Sequence, residues 1–271
     1  MIGWPLKASL SPLLHEAAFR SAGMNATYSL FPTRPDQLEE KIRAVATGEL
    51  AGVNITVPHK LRVMELLDEL ADSARLVGAV NTVQRADGTL VGHNTDVAGF
   101  RLQWSELAVP PGTAVVLGAG GAARAAVSVL LDEGRAVTVV ARNPAAAEGL
   151  AWDIPGAAGH LSAAAWTDAG LAAAMDGAIA VVNATPLEDA LPAGVQIPPF
   201  VADLVAWPVP TGLESRARAA GCHAMGGIVM LIGQAAEAFA LWTGRQSPVG
   251  VMRRAAIEAG VLEEGAWRYD D

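Results

Sequence analysis

The feature that most restricts the architecture of this chain is a glycine-rich turn, Gly118-Ala-Gly120-Gly-Ala-Ala123, set between an apolar run and an alanine-rich stretch. Ala114 to Leu117 reads as a strand, the stretch to about Glu133 as a helix, and Ala136 to Val140 as the next strand. About 30 residues thus form one strand–helix–strand unit, the building block of a parallel sheet. In such a turn the first glycine permits the tight reversal and the second lets backbone approach a pyrophosphate, while small Ala123 allows close helix-to-strand packing. The N–H groups opening the helix then face phosphate. The turn predicts a dinucleotide site, with a purely structural Gly-rich turn as the plain alternative. The next strand ends Val139-Val-Ala-Arg142-Asn143, with no acid before Glu148. A carboxylate there binds a ribose 2′-hydroxyl and an arginine accommodates a 2′-phosphate, so Arg142 points to NADP rather than NAD.

Charge limits the partners. With 19 Lys and Arg against 28 Asp and Glu, the 271-residue chain carries −9, which argues against a nucleic-acid binder needing a basic stripe. Its 52% hydrophobic and 17% charged content belongs to a folded chain, long enough for one large or two modest domains. No stretch reaches the roughly 20 apolar residues of a spanning helix. The one cysteine, Cys222, and the lack of a basic, then apolar, N-terminal segment predict a cytoplasmic location. Cys222 itself reads as a small buried hydrophobe. The five histidines show no His-x-x-x-His spacing, and no metal is expected. Of the 19 basic residues only Lys7, Lys41 and Lys60 are lysine, so a lysine in an informative place stands out.

Ahead of the glycine turn, helix and strand signals alternate, which favours an α/β sheet. Ser11-Pro12 reads as an N-cap and first turn of a helix over 12–22. Tyr28 to Phe31 is β-compatible, Pro35 to Val45 helical, Gly52 to Pro58 a strand, and Lys60 to about Leu70 a further helix. Strands are expected at Ala79 to Val83 and Leu90-Val91, and later at Ala180 to Asn183 and Val201 to Val205. Gly226 to Trp242 is apolar nearly all round, as in a helix packed between layers. The tail, Glu263 to Asp271, is acidic and expected to fray. Polar residues gather at strand ends in Asn54-Ile-Thr-Val-Pro-His-Lys60, Gly78-Ala-Val-Asn81-Thr82 and His93-Asn-Thr-Asp96, where α/β sheets bind ligands, and they suit a polyhydroxylated substrate. Taken singly, Lys60 also fits a helix surface, Asn81 a turn and Asp96 an N-cap.

Together, in order, Ser9-Leu-Ser11-Pro12, Gly52-Val-Asn-Ile-Thr56-Val-Pro-His-Lys60, Gly78-Ala-Val-Asn81-Thr, Asn94-Thr-Asp96, Gly118-Ala-Gly-Gly-Ala, Asn183-Ala-Thr185-Pro-Leu and Met230-Leu-Ile-Gly-Gln234-Ala-Ala resemble the shikimate dehydrogenase family along nearly the whole chain. The resemblance implies an N-terminal α/β substrate domain over 1–96 and a Rossmann-type doubly wound parallel-sheet NADP domain over 97–227. It implies a C-terminal helical segment over 228–271 that returns to the substrate domain. It implies the NADP-linked interconversion of 3-dehydroshikimate and shikimate in aromatic amino-acid biosynthesis, by a monomer or homodimer. Carried over, Ser9 and Ser11 bind the substrate carboxylate, Thr56, Asn81, Asp96 and Gln234 hold ring hydroxyls, and Lys60 with Asp96 form the catalytic pair. Gly118, Ala119, Gly120, Gly121, Ala122, Arg142, Asn183, Thr185 and Gly227 line the cofactor site. Lysine can give and take a proton whereas arginine stays charged, so Lys60 in an arginine-rich chain supports the catalytic reading over the surface one.

The chain departs from the family pattern at several positions. Ala8 stands where His often precedes the first serine, Val97 follows Asp96 where a smaller residue is common, and Ala206 falls in the segment where a Tyr is usual. Ala146 stands where a second basic residue often completes the phosphate clamp. The alternative these departures leave open is a quinate/shikimate dehydrogenase that prefers NAD.

Overall fold

A computed structural model describes residues 1–6, 8–154, 156–206, 210–264 and 267. Lys7, Trp207 and Pro208, and most of the acidic tail, lie outside the described residues. The chain divides into two compact units: the first is Met1–Asp96 with Ile232–Glu264, the second Val97–Leu231 with Trp267.

The first unit holds β1 (Ile2–Gly3), α1 (Ser11–Ser21), β2 (Phe31–Pro32), α2 (Leu38–Ala46), β3 (Gly52–Asn54), β4 (Glu69–Leu70), α3 (Asp72–Val77), β5 (Thr82–Ala86) and β6 (Thr89–His93). Strands β3, β5, β6 and β4 form a mixed sheet in that order; β5 runs antiparallel to both β3 and β6, and β4 parallel to β6. β1 and β2 form a separate parallel pair. The core beneath is Ile2, Leu38, Ile42, Val45, Val53, Ile55, Val63, Val80 and Val83 with their neighbours.

Three expectations change here. Ser11 is the first residue of α1, not its N-cap: Leu10 holds that place with no side-chain cap, and the Ser11 hydroxyl is used elsewhere. The segment after Lys60 is a 3-10 turn, Arg62–Leu66, followed by β4, not one long helix. Its apolar residues sit at helical spacing, but Met64, Leu66, Leu67 and Leu70 pack against the sheet core, and pairing of Glu69 and Leu70 with β6 ends the turn. β5 spans Thr82–Ala86, beginning and ending three residues later than expected, although the Asn81 N–H still donates to the His93 carbonyl at 3.0 Å.

The second unit begins as α4 (Asp96–Leu107) leaves the first, and continues through β7 (Ala114–Leu117), α5 (Gly121–Asp132), β8 (Val137–Ala141), α6 (Pro144–Asp153), β9 (Leu161–Ala165), α7 (Asp168–Met175), β10 (Ala180–Asn183), β11 (Phe200–Asp203), α8 (Gly212–Ala219) and β12 (His223–Met225). The six strands are parallel in the order β12-β11-β10-β7-β8-β9. The order reverses between β7 and β10, so this is a doubly wound Rossmann-type sheet with its switch point beyond the carboxyl ends of those two strands. β7 and β10 are buried along their whole length, as strands covered on both faces must be. α9 (Ile228–Thr243) carries the chain back at Leu231–Ile232, and α10 (Val249–Glu258) packs on α1 in the first unit. No helix among the described residues is long and apolar enough to cross a membrane.

Candidate active site

In the first unit the antiparallel pairing brings the end of β3, the start of β5 and the end of β6 to one edge of the sheet. Asn54 is in register with Thr82, and Thr82 with His93. Asn81 lies one residue before that row, and Asn94, Thr95 and Asp96 follow it. Gly78 caps α3, its left-handed conformation (φ +66) turns the chain back toward this edge, and the Val80 N–H donates to the Lys60 carbonyl at 2.9 Å. Lys60 is held there by its own backbone.

The side chains close into one cluster. Lys60 Nζ pairs with Asp96 Oδ2, and the two side chains are 17% and 9% exposed. Asn81 Nδ2 donates to Asp96 Oδ1 at 2.8 Å and to Thr95 Oγ1 at 3.0 Å. Asn81 Oδ1 accepts from Thr82 Oγ1 at 2.9 Å and from the Thr95 N–H at 2.8 Å. Asn94 Oδ1 accepts from the Asp96 N–H at 3.1 Å, fixing the first residue of α4, where the helix dipole favours a carboxylate. Gln234, buried on α9, has its Oε1 3.5 Å from Thr95 Oγ1. Ser9 Oγ donates to Ser11 Oγ at 3.1 Å and Thr56 is half-buried just after β3. Lys60, Asp96, Asn81 and Gln234 are therefore joined in one run of contacts, with Thr95 between Asn81 and Gln234. Ser9 and Ser11 form a pair of their own.

An aspartate in contact with a buried ammonium fixes its direction, and Asn81 fixes the aspartate. Such a pair presents one mobile proton at Lys60 Nζ to a bound oxygen. Asn81 commits both amide hydrogens and its oxygen to the protein, so its action on a ligand runs through Asp96. Asn54, Thr82 and Thr95, which the spacing of motifs did not single out as site residues, complete the cluster: Asn54 Nδ2 donates to Thr82 Oγ1 at 2.9 Å. Their signal was that all three stand within the polar strand-end segments, with Asn54 opening the first.

In the second unit the glycine turn leads from β7 to α5 at the switch point. Gly118 has φ +104, and a Cβ there would lie 3.1 Å from the Ala184 carbonyl oxygen after β10. Only glycine fits both the torsion and the approach. Gly120 is the N-cap of α5 with no side-chain cap, and nothing stands within 4 Å of where its Cβ would be. The helix N-terminus is thus uncapped by protein and has open space before it, which suits the pyrophosphate of a dinucleotide. Arg142, directly after β8, is exposed, and Asn143 is the N-cap of α6.

Asn183 and Asp203 are in register at the carboxyl ends of β10 and β11, and both are fully buried. Asn183 Nδ2 donates to Asp203 Oδ1 at 3.0 Å, and Asn183 Oδ1 accepts from Thr185 Oγ1 at 2.7 Å. Asn183 shapes the turn carrying Thr185. Asp203 also accepts from Thr211 Oγ1 and the Val205 N–H, yet burial pushes its carboxyl up to about 6 against those bonds. A Cβ on Gly227 would lie 2.6 Å from the Leu204 carbonyl, so the strand end and the start of α9 touch only because this residue is glycine.

The comparisons agree with this architecture. Residues 1–83 match the shikimate dehydrogenase substrate binding domain and residues 227–257 the shikimate 5′-dehydrogenase C-terminal domain. The chain is 41% identical to the shikimate dehydrogenase (NADP(+)) of Desulforamulus reducens over 93% of this chain and 92% of that one. The chain belongs to the shikimate dehydrogenase family. A second family member, shikimate dehydrogenase (NADP(+)) of Symbiobacterium thermophilum, is 42% identical over 96% and 93% of the two chains. Among solved structures, shikimate 5-dehydrogenase of Thermus thermophilus in complex with NADP(H) and shikimate superposes with a TM-score of 0.84 at 36% identity, covering 95% of this chain and 97% of that one. Quinate dehydrogenase of Corynebacterium glutamicum in complex with NAD superposes at 0.83 and 33% identity, covering 95% and 97%.

Proposed function

We propose that the chain catalyses the NADP-dependent, reversible reduction of 3-dehydroshikimate to shikimate. The observation that carries this reading is the Lys60–Asp96 pair, mostly buried and oriented by Asn81 in the first unit. Membership of the family and the uncapped glycine turn of the second unit support it.

In this reading the bound nicotinamide supplies or accepts the hydride. Ser9 and Ser11 bind the carboxylate of the ring, and Thr56 and Gln234 hold its hydroxyls. Lys60 Nζ gives its proton to the ring oxygen during reduction and takes it back during oxidation, while Asp96 holds the ammonium in line. Gly118 to Ala122 and Thr185 receive the dinucleotide, Arg142 meets its 2′-phosphate, and Gly227 keeps the strand end close. The first unit is then the substrate domain and the second the NADP domain. A biosynthetic oxidoreductase of this kind, with Cys222 as its one thiol, belongs in the cytoplasm.

A second reading is favoured by one observation: Arg142 is the one basic residue at the end of β8, with Ala146 on the first turns of α6. A clamp with one arginine discriminates less against a cofactor lacking the 2′-phosphate. Initial rates with shikimate and quinate, each with NADP and NAD, separate the two. The fastest rate is expected with shikimate and NADP. A faster rate with quinate and NAD assigns the alternative, and absence of turnover with all four pairs refutes both.

A further inference from the structure

The polar edge of the first unit is built on two amides, and which end each presents is dictated by its neighbours. Asp96 is a carboxylate and only accepts, so Asn81 has to offer it Nδ2, at 2.8 Å from Oδ1, and turn its own Oδ1 the other way. There Thr82 Oγ1 lies 2.9 Å from Asn81 Oδ1, nearer than the 3.2 Å to Thr95 Oγ1, and gives the amide oxygen its single proton. That leaves the Thr82 hydroxyl an acceptor toward Asn54, which meets it with Nδ2 at 2.9 Å. Asn54 Oδ1 then needs a donor of its own, and the Tyr28 hydroxyl supplies one at 2.5 Å. Asn81, Thr82, Asn54 and Tyr28 are all buried, so bulk water does not replace a donor lost from the chain. The demand set by the carboxylate passes outward one residue at a time and ends at the phenol.

We propose that Tyr28 is a positioning residue for the proton-transferring pair: by donating to Asn54 it fixes the polarity of the Asn54–Thr82–Asn81 chain and so keeps the Asn81 amide donating to Asp96. Without the phenol O–H, Asn54 is free to turn its amide over and present Oδ1 to Thr82. The Thr82 proton then goes to Asn54, and Asn81 Oδ1 keeps only the Thr95 N–H, at 2.8 Å. Asn81 is held less firmly, and with it the carboxylate that sets the direction of Lys60 Nζ. The packing around the phenol suits this use. The His15 ring stacks on Tyr28 at 4.3 Å with an interplanar angle of 2°, and neither His15 nitrogen has a hydrogen-bond partner, so His15 serves as a flat wall. Trp242 flanks the Tyr28 ring at 6.3 Å, and is itself fixed by Nε1 donating to the Val83 carbonyl at 3.1 Å. These rings carry the phenol oxygen to Asn54 by packing, before any ligand arrives.

The inference rests on the proposed reaction, and its test is a double-mutant cycle on kcat for shikimate oxidation with Tyr28→Phe, Thr82→Val and the pair. Tyr28→Phe keeps the stacked ring and removes only the hydroxyl, and Thr82→Val keeps the side-chain shape and cuts the chain at its middle. Each is expected to lower kcat about tenfold, the effect of leaving one buried acceptor unpaired, with KM for NADP unchanged. Because both cut one chain, adding Tyr28→Phe to Thr82→Val is expected to lower kcat no further. Thr82→Ser retains the proton and is expected to recover most of the loss seen in Thr82→Val. Wild-type kcat in Tyr28→Phe, single effects that multiply in the double variant, or equal losses in Thr82→Ser and Thr82→Val overturn the inference. If Tyr28→Phe fails to fold, the comparison of Thr82→Ser with Thr82→Val decides it. A wild-type enzyme with no shikimate turnover defeats the proposed function and the positioning role together, whereas an active wild type with multiplying variants defeats the positioning role alone.

Discussion

At the scale of single residues, the assignment turns on Lys60. Its carbonyl is tied to the Val80 N–H, so truncating its side chain leaves the backbone in place. Lys60→Ala is expected to lower kcat by roughly 10²–10⁴-fold, the usual share of one general acid–base group, with little change in KM for NADP. Steady-state rates with varied NADP at saturating shikimate check it, and unchanged turnover removes Lys60 from the proton step. Asp96 would lose its cation in that variant. Breaking a mostly buried pair carries a stability penalty, so the thermal midpoint is to be measured beside the rate.

At the scale of elements, α4 is tied to two strand ends by one side chain. Gln103 is fully buried, and its Nε2 lies 2.9 Å, 3.0 Å and 3.1 Å from the carbonyl oxygens of Asp203, Met225 and Gly226. Gln103→Leu strands those acceptors in an apolar setting and is expected to destabilise the second unit by about 2–4 kcal/mol, seen as a lower urea midpoint with an unchanged slope. Stability within a few tenths of a kcal/mol of wild type contradicts that role. No sequence pattern announces such a tie, because Gln103 and its acceptors are at least 100 residues apart. The unit β7–α5–β8 is the opposite case. Its strand, glycine turn and helix are contiguous, so torsion and packing demands fall on neighbouring residues and the pattern is readable. The polar edge was readable as a set of residues, Asn81 and Asp96 among them, but not as wiring. Tyr28 meets Asn54 and Asn81 meets Thr95 only after the sheet has formed its register. The expected helix after Lys60 failed for the same reason, since pairing of β4 with β6 outweighed helical spacing.

At the scale of the whole molecule, the two units carry buried groups with opposite pH behaviour. Burial pushes His15, in the first unit, down to about 3 from 6.5. Between those values the unfolded chain binds a proton that the folded unit refuses, so stability falls as pH drops below about 6.5, by up to about 1.4 kcal/mol per pH unit. Asp203, in the second unit, is raised from 3.8 to about 6. Between those values the folded carboxyl keeps its proton while the unfolded one ionises, so stability falls as pH rises from about 4 to about 6 and is flat above. Hydrogen exchange, corrected for intrinsic rates, should show Leu14 and Ala17 less protected at pH 5 than at pH 7, and Val181 and Val201 more protected. His15→Phe and Asp203→Asn should flatten the two trends separately; a variant that leaves its unit's trend intact refutes that assignment. The division of the chain has a further consequence for biosynthesis. Residues 97–231 are one uninterrupted stretch, whereas the first unit is interrupted by them. A ribosome therefore releases every residue of that stretch before α10, which packs on α1, has been made. The first unit has to wait, its α1 face bare, until α10 has followed, and an apolar face left open through that interval is where such a nascent chain is most exposed to misassembly.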